Sequence, residues 1–168
     1  MIIWLNGPPG AGKSSTARRF KELLGRRAVR LDLERLGRFI NLVFRSDDYQ
    51  YTRAWRIGVV VLCGVLDRVW RVVLVDMTLL DPLVRSLTIG RIVKCRDLHE
   101  VYLHVSQEEL RLRIASRGGP GTDWCITNLE RLCAYEVPAG SYECHTLEAA
   151  ECWLKSIISD GFEFCPLP

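Results

Sequence analysis

One stretch near the start of the chain has residue types and spacing suited to binding phosphate. Residues Gly7–Ser14 spell Gly-Pro-Pro-Gly-Ala-Gly-Lys-Ser and match the pattern G-x-x-x-x-G-K-[ST]. Small residues let backbone N–H groups close around a phosphate, and a helix starting at Lys13 adds the positive end of its dipole. We expect Lys13 to reach the β- and γ-phosphates of a nucleotide and Ser14 to hold Mg²⁺. The nucleotide-binding residues expected from this pattern are Gly7, Pro9, Gly10, Ala11, Gly12, Lys13, Ser14 and Ser15.

Acidic residues follow two apolar runs further along the chain. Asp76 ends the run Val72–Asp76, where a carboxylate can accept from Mg²⁺ or its waters, or can cap the next element. Asp32 and Glu34 follow a second run, on the same side of the expected cleft. We expect Asp32 to accept the proton of a substrate hydroxyl and Glu34 to bind substrate. Asp32 can also serve as the N-cap of the helix that follows.

Arginines near residue 115 suggest a lid. Arg113 and Arg117 are four apart, share a helix face, and precede the sequence Gly-Gly-Pro-Gly at 118–121. Arginines attached to a mobile loop can close on a transferring phosphate and exclude water, so both are catalytic candidates. A solvated helix face is the alternative. Trp124, just after the loop, is expected to stack on a ligand or to anchor the loop.

A second pair of arginines and the remaining metal-binding residue types give weaker signals. Arg53 and Arg56, at the start of a long helix, are candidates for binding an anionic or ring-bearing substrate, or are surface charges. The seven cysteines match no zinc spacing, and we expect His99, His104 and His145 to form no cluster.

The elements that must position these residues alternate along the chain. Five short apolar runs predict strands, and amphipathic segments between them predict helices. This alternation indicates an α/β fold with a parallel five-stranded sheet covered on both faces, and ligands at the carboxyl ends of its strands. We expect one domain over 1–168, with a lid segment at about 113–126. The expected strands are Ile2–Leu5, Ala28–Leu31, Val72–Asp76, Glu100–Val105 and Tyr142–Cys144.

Composition excludes several other classes of protein. The chain has 168 residues, 48% of them hydrophobic, and 23 basic against 20 acidic residues give a net charge of +3. This balance is typical of a globular protein and too mild to favour nucleic acid as a partner. The longest apolar stretch, Ile57–Leu66, is too short to span a bilayer. We expect a cytoplasmic protein with reduced cysteines and no stable membrane insertion.

Taken together, these residues resemble the small P-loop kinases, and are most similar to the tunicamycin-resistance protein family. The resemblance covers about residues 1–158. It implies a three-layer P-loop NTPase, like nucleoside-monophosphate kinases but with a short lid. The residues that carry it are Met1–Pro8, Gly12-Lys13-Ser14-Ser15, Leu31-Asp32-x-Glu34-x-x-Gly37, Arg113-x-x-x-Arg117 and Trp124.

The resemblance implies an ATP- and Mg²⁺-dependent phosphotransferase acting on a small-molecule hydroxyl, with tunicamycin or another nucleoside antibiotic as substrate. We expect a monomer or homodimer. The positions carried over from the family are Lys13, Ser14, Asp32, Asp76 and Arg117.

Two alternatives stay open from the sequence. The first is a binding protein that holds ATP and sequesters an antibiotic without turnover. The second is another kinase of small metabolites or nucleotides. A GTPase switch is disfavoured because no N-K-x-D motif for guanine recognition occurs in the chain.

Overall fold

A computed structural model describes residues 1–44, 48–119, 122–137 and 139–161. Five parallel strands form one sheet in the order β2-β3-β1-β4-β5, as the alternating pattern predicted. The fourth strand begins two residues earlier than expected because Leu98 pairs with Ile2, where the first strand starts. The strands are β1 (Ile2–Asn6), β2 (Ala28–Leu31), β3 (Val72–Asp76), β4 (Leu98–Leu103) and β5 (Tyr142–Cys144).

Seven α-helices connect and flank the strands in the described part of the chain. Two short 3₁₀ turns, Gly25–Arg27 and Tyr49–Tyr51, lie between them. The sixth helix begins at Thr122, and Asp123 in its first turn interacts favourably with the positive end of the helix dipole. The helices are α1 (Lys13–Leu24), α2 (Leu33–Phe44), α3 (Arg53–Val69), α4 (Pro82–Val93), α5 (Gln107–Arg117), α6 (Thr122–Cys133) and α7 (Leu147–Gly161).

Apolar side chains cover both faces of the sheet. Along β1, Ile3 and Leu5 pack in one cluster with Phe20 of α1 and residues of α5 and α7. The alternating residues of β1, Ile2 and Trp4, belong to a second cluster with Trp55 of α3 and residues of α2 and α4. Every residue of β1 and β3 is buried. This burial on both faces agrees with their sequences, which are apolar up to the polar residue that ends each strand. The architecture is therefore three layers, with helices on both sides of a parallel sheet.

The register brings the carboxyl ends of the central strands together. Leu5 pairs with Asp76 of β3, and Asn6 pairs with Tyr102 of β4. The loop after β1 thus lies between the ends of β3 and β4, at the centre of the sheet edge where such folds bind ligands.

None of the helices in the described ranges is long and apolar enough to cross a membrane.

Candidate active site

The loop after β1, residues 7–12, has a backbone that requires glycine. Gly7 has φ +133°, and a Cβ atom there would lie 2.8 Å from the carbonyl oxygen of Leu103. Gly12 has φ +95° and precedes α1 without a side-chain cap. The N–H groups of Lys13 and Ser14, in the first turn of α1, therefore lack an intrahelical partner. This arrangement is suited to an anion, as the glycine pattern predicted.

A buried asparagine fixes the entry to this loop. The Asn6 side chain is fully buried, and its Oδ1 accepts from the N–H groups of Gly7 at 2.8 Å and Leu79 at 2.9 Å. Its Nδ2 donates to the Leu79 carbonyl and to Glu100 Oε1, both at 2.8 Å. Glu100 is in turn paired with Arg85. Sequence analysis missed this network, whose signal was a polar residue at the end of an otherwise apolar strand.

Lys13 lies across the loop. Its Nζ donates to the carbonyl oxygens of Gly7 at 3.0 Å and Pro8 at 2.8 Å. Burial lowers the pKa of Lys13 to about 8, against the opposing effects of Glu34 and Asp76, which favour its charged form. The ammonium group therefore stands in a poorly hydrated place where it interacts strongly with any bound anion.

A cavity of about 820 Å³ opens over the loop. It brings together most of the residues that the sequence predicted, from the loop itself, α2, β3, α5 and α6. Gly7 and Ala11 lie below the loop surface, whereas Asp32, Arg53 and Arg56 are not part of the described cavity lining. The predicted residues that line it are Pro9, Gly10, Gly12, Lys13, Ser14, Ser15, Glu34, Asp76, Arg113, Arg117 and Trp124.

Asp76 lies at the end of β3, as expected, but it already has a partner. Arg30 on the neighbouring strand β2 donates from Nε to Asp76 Oδ1 at 2.8 Å and from Nη2 to Oδ2 at 2.6 Å. The Asp76 side chain is only 3% exposed. Both carboxylate oxygens are therefore held by a bidentate ion pair at the floor of the cavity, which fixes their orientation.

The two acids after β2 occupy different places. Glu34, in the first turn of α2, lines the cavity. Of the neighbouring charges, that of Glu34 has the largest effect on the pKa of Lys13, which it raises against the lowering by burial. Asp32 is exposed and lies outside the cavity lining. Glu34 is therefore the one of these two carboxylates that faces the phosphate-binding loop.

The predicted lid residues border the loop from the other side. Arg113 donates from Nη1 to the Gly10 carbonyl at 3.3 Å and from Nη2 to Glu109 at 2.6 Å. Arg117 is close enough for its positive charge to lower the pKa of Lys13. Trp124, 52% exposed, contributes to the cavity wall from α6. Residues 120–121 of the predicted glycine loop lie outside the described part of the chain.

Arg53 and Arg56 are not brought to the cavity. Arg53 is exposed, and Arg56 donates from Nη1 to the Tyr51 carbonyl at 3.0 Å. Arg56 thus holds the 3₁₀ turn Tyr49–Tyr51, and that turn itself lines the cavity.

Part of the cavity lining consists of aromatic and hydrogen-bonding side chains that sequence analysis did not single out. Tyr51 donates its hydroxyl to Asp81 at 2.8 Å, and this bond raises the pKa of Tyr51 to about 12. Thr78 donates to the Gly7 carbonyl at 3.0 Å, joining this region to the phosphate-binding loop. The side chains here include Tyr49, Gln50, Tyr51, Thr78, Leu80, Asp81, Arg131, Leu132 and Tyr135.

Comparison with known proteins identifies the family and the fold of this chain. A family model described as an AAA domain matches residues 2–135. No curated protein sequence matches the chain significantly. Among solved structures, the tunicamycin resistance protein of Deinococcus radiodurans is similar, with 21% identity, a TM-score of 0.74, and coverage of 99% of this chain and 98% of that one.

Two kinases are also similar in structure. APS kinase CysC of Mycobacterium tuberculosis has 19% identity and a TM-score of 0.65, covering 93% of this chain and 96% of that one. Shikimate kinase of Acinetobacter baumannii has 21% identity and a TM-score of 0.59, covering 96% and 95%. These similarities show that the chain has the fold of the P-loop kinases, as the sequence predicted.

Proposed function

We propose, since this chain belongs to the family of AAA domains, that it transfers the γ-phosphoryl group of ATP to a hydroxyl group of a small molecule. The observation that carries this proposal is the placement of Lys13. Its ammonium group lies on the Gly7 and Pro8 carbonyls at the start of α1, in one cavity with Glu34 and Arg117. A positive group over a glycine loop, a carboxylate and a second cationic side chain are parts that phosphoryl transfer uses.

The phosphate-binding parts follow from this placement. When bound, ATP supplies the phosphoryl group and Mg²⁺ offsets the charge on its oxygens. Lys13 would leave the two loop carbonyls and bind phosphate oxygens, while the free N–H groups at the start of α1 hold the same anion. Ser14 and Asp76 both line the cavity and offer the oxygen ligands that Mg²⁺ prefers. Because Arg30 holds both oxygens of Asp76, we propose that Asp76 acts on the metal through a bound water.

Glu34 is our candidate for the acid–base step. Its carboxylate would take the proton of the acceptor hydroxyl as that oxygen bonds to the γ-phosphorus and the bond to the departing ADP oxygen breaks. Asp32, which the sequence favoured for this role, lies outside the cavity lining. Arg113 and Arg117 would stabilise charge on the transferring group and exclude water, with residues 113–126 acting as the lid of a single domain.

The aromatic part of the cavity lining supports a ring-bearing acceptor. Tyr49, Tyr51 and Tyr135 provide aromatic surfaces, and Gln50 and Asp81 provide hydrogen-bonding groups beside them. This chemistry, together with the likeness to a tunicamycin resistance protein, leads us to propose a nucleoside antibiotic of the tunicamycin type as the substrate. We place the enzyme in the cytoplasm, where ATP is available, as a monomer or homodimer.

The proposal is tested by mass spectrometry of small molecules after incubation with Mg-ATP and a panel of acceptors. The panel contains tunicamycin, uridine nucleotides, chloramphenicol, shikimate and gluconate. We expect one acceptor to gain a phosphoryl group, with tunicamycin the first candidate. Tunicamycin that binds in the presence of ATP but is never phosphorylated would instead establish sequestration. Failure of every panel member to bind would contradict the antibiotic proposal.

ATP affinity should fall as pH rises through the pKa of Lys13. That pKa is lowered to about 8, so the ammonium is charged at pH 7 and mostly neutral at pH 9. If phosphate binding requires the charged form, affinity falls about tenfold between pH 7 and pH 9, from the loss of one proton. Isothermal titration calorimetry at both pH values measures this change. Lys13→Ala is the matched control and should bind ATP weakly at both; a flat profile in the unmodified protein would contradict the prediction.

A further inference from the structure

A second group of polar side chains lies at the carboxyl ends of β4 and β5. The sequence predicted no histidine cluster, and this expectation was wrong, because the parallel register brings distant residues together. Leu103 pairs with Cys144, so His104 and His145 follow at neighbouring positions at the ends of the two strands. Glu143, two residues before His145, lies on the same side of the strand.

The three side chains offer a compact set of donor atoms. One ligand atom from each of His104, Glu143 and His145 lies within 4.8 Å of the other two. His104 Nε2 and Glu143 Oε2 are 2.7 Å apart. The His104 ring stacks on His145 with centroids 4.7 Å apart, and Tyr102 contacts it with centroids 4.8 Å apart. The His104 side chain is thus held in place by Glu143, His145 and Tyr102.

We propose that His104, Glu143 and His145 form a binding site for Zn²⁺ or a chemically similar transition-metal ion. Two imidazoles and one carboxylate are a ligand set that Zn²⁺ accepts, with a fourth position left for water. Imidazole does not suit Mg²⁺, which makes this site distinct from the phosphate-binding loop. The proposal rests on the strand register and these side chains alone, and it is independent of the proposed kinase activity.

The geometry needs a small closure to hold an ion. Atoms bonded to one tetrahedral zinc lie roughly 3.4 Å apart, given Zn–N bonds of about 2.0–2.1 Å. The three atoms lie within 4.8 Å of one another, so no separation must shorten by more than a little over 1 Å. Glu143 and His145 are exposed and can rotate toward His104, whose ring is partly buried. Closure needs side-chain rotation only.

A bound ion would tie the shortest strand to its neighbour. β5 has three residues and forms the edge of the sheet, paired only with β4 in the described chain. Tyr102, which contacts His104, packs with Leu80 and Leu132, and both of these also line the cavity. The ion would therefore stabilise the part of the cavity wall that Leu80 and Leu132 form.

Titration of the full chain with Zn²⁺ and Co²⁺ at pH 7.5, under reducing conditions, tests the site. We expect one equivalent to bind, with Co²⁺ absorption bands typical of nitrogen and oxygen ligands. His145→Ala should weaken binding at least about tenfold, a loss of ~1.4 kcal/mol, and Glu143→Gln should weaken it in the same direction. Because both residues are exposed, these variants should fold. His99→Ala, which removes the remaining histidine, is the control and should bind as the unmodified chain does.

Thermal unfolding gives an independent measurement. Zn²⁺ should raise the melting temperature of the unmodified chain and of His99→Ala, but not that of His145→Ala, because a ligand stabilises only the state it binds. Equal binding by His145→Ala, or an absorption band from cysteine sulfur bound to Co²⁺, would place the ion elsewhere and overturn the proposal. Absence of any Zn²⁺ binding at 100-fold excess over protein would overturn it as well. None of these outcomes depends on ATP or on phosphate transfer.

Discussion

Lys13→Ala should lower the rate of ATP-dependent phosphate transfer about 100- to 1000-fold, the cost found for removing one group that stabilises transition-state charge. The Lys13 ammonium lies directly over the loop, and burial makes its interaction with phosphate strong. Arg117, which lines the cavity from α5, is not expected to replace it. Initial rates of product formation, measured with saturating acceptor, give the effect.

The same variant must remain folded for this result to be informative. Among the described residues, the Lys13 ammonium donates to carbonyls of the loop, so its removal should leave the melting temperature nearly unchanged. Lys155→Ala, an exposed lysine on α7 far along the chain, is the matched control and should keep full activity. A Lys13→Ala protein that is folded and retains more than half of the activity would show that the loop does not act in catalysis.

Replacing the two acids after β2 separately should distinguish their roles. Glu34→Gln should lower kcat by about 100- to 10,000-fold, the range for loss of a general base, with a small change in the KM for ATP. Asp32→Asn, the matched control, should change kcat by no more than a few-fold because Asp32 lies outside the cavity lining. Steady-state kinetics of both variants provides the comparison.

The opposite result has an equally clear meaning. A large loss in Asp32→Asn with little effect in Glu34→Gln would assign the proton transfer to Asp32 and require α2 to move on substrate binding.

Much of the fold could be predicted because its signals are local. Two runs are apolar throughout, Ile2–Leu5 before the glycine loop and Val72–Val75 before Asp76. Such runs are typical of parallel strands that are buried on both faces. The glycines at 7, 10 and 12 indicate a backbone with positive φ, which other residues rarely adopt. These features depend on neighbours in sequence, so no knowledge of distant contacts was needed.

Features that depend on long-range pairing could not be predicted in the same way. The ion pair from Arg30 to Asp76 joins two strands whose adjacency appears only in the folded sheet. The choice between Asp32 and Glu34 depends on how the first turn of α2 is oriented toward the cavity. The cluster of His104 with His145 depends on the register of β4 and β5. In each case the residue types were visible, but their partners were not.

The central place of β1 in the sheet also governs how the protein can be made. β1 lies in the chain well before its two neighbours in the sheet, since β3 begins only at Val72 and β4 at Leu98. Its apolar residues therefore stay unpaired until the residues of β3 have also been synthesised. During that interval the nascent chain exposes a strand that can aggregate, which makes early protection by chaperones valuable. The phosphate-binding loop, in which Gly7 packs against the Leu103 carbonyl, takes its final shape only after β4 has been made.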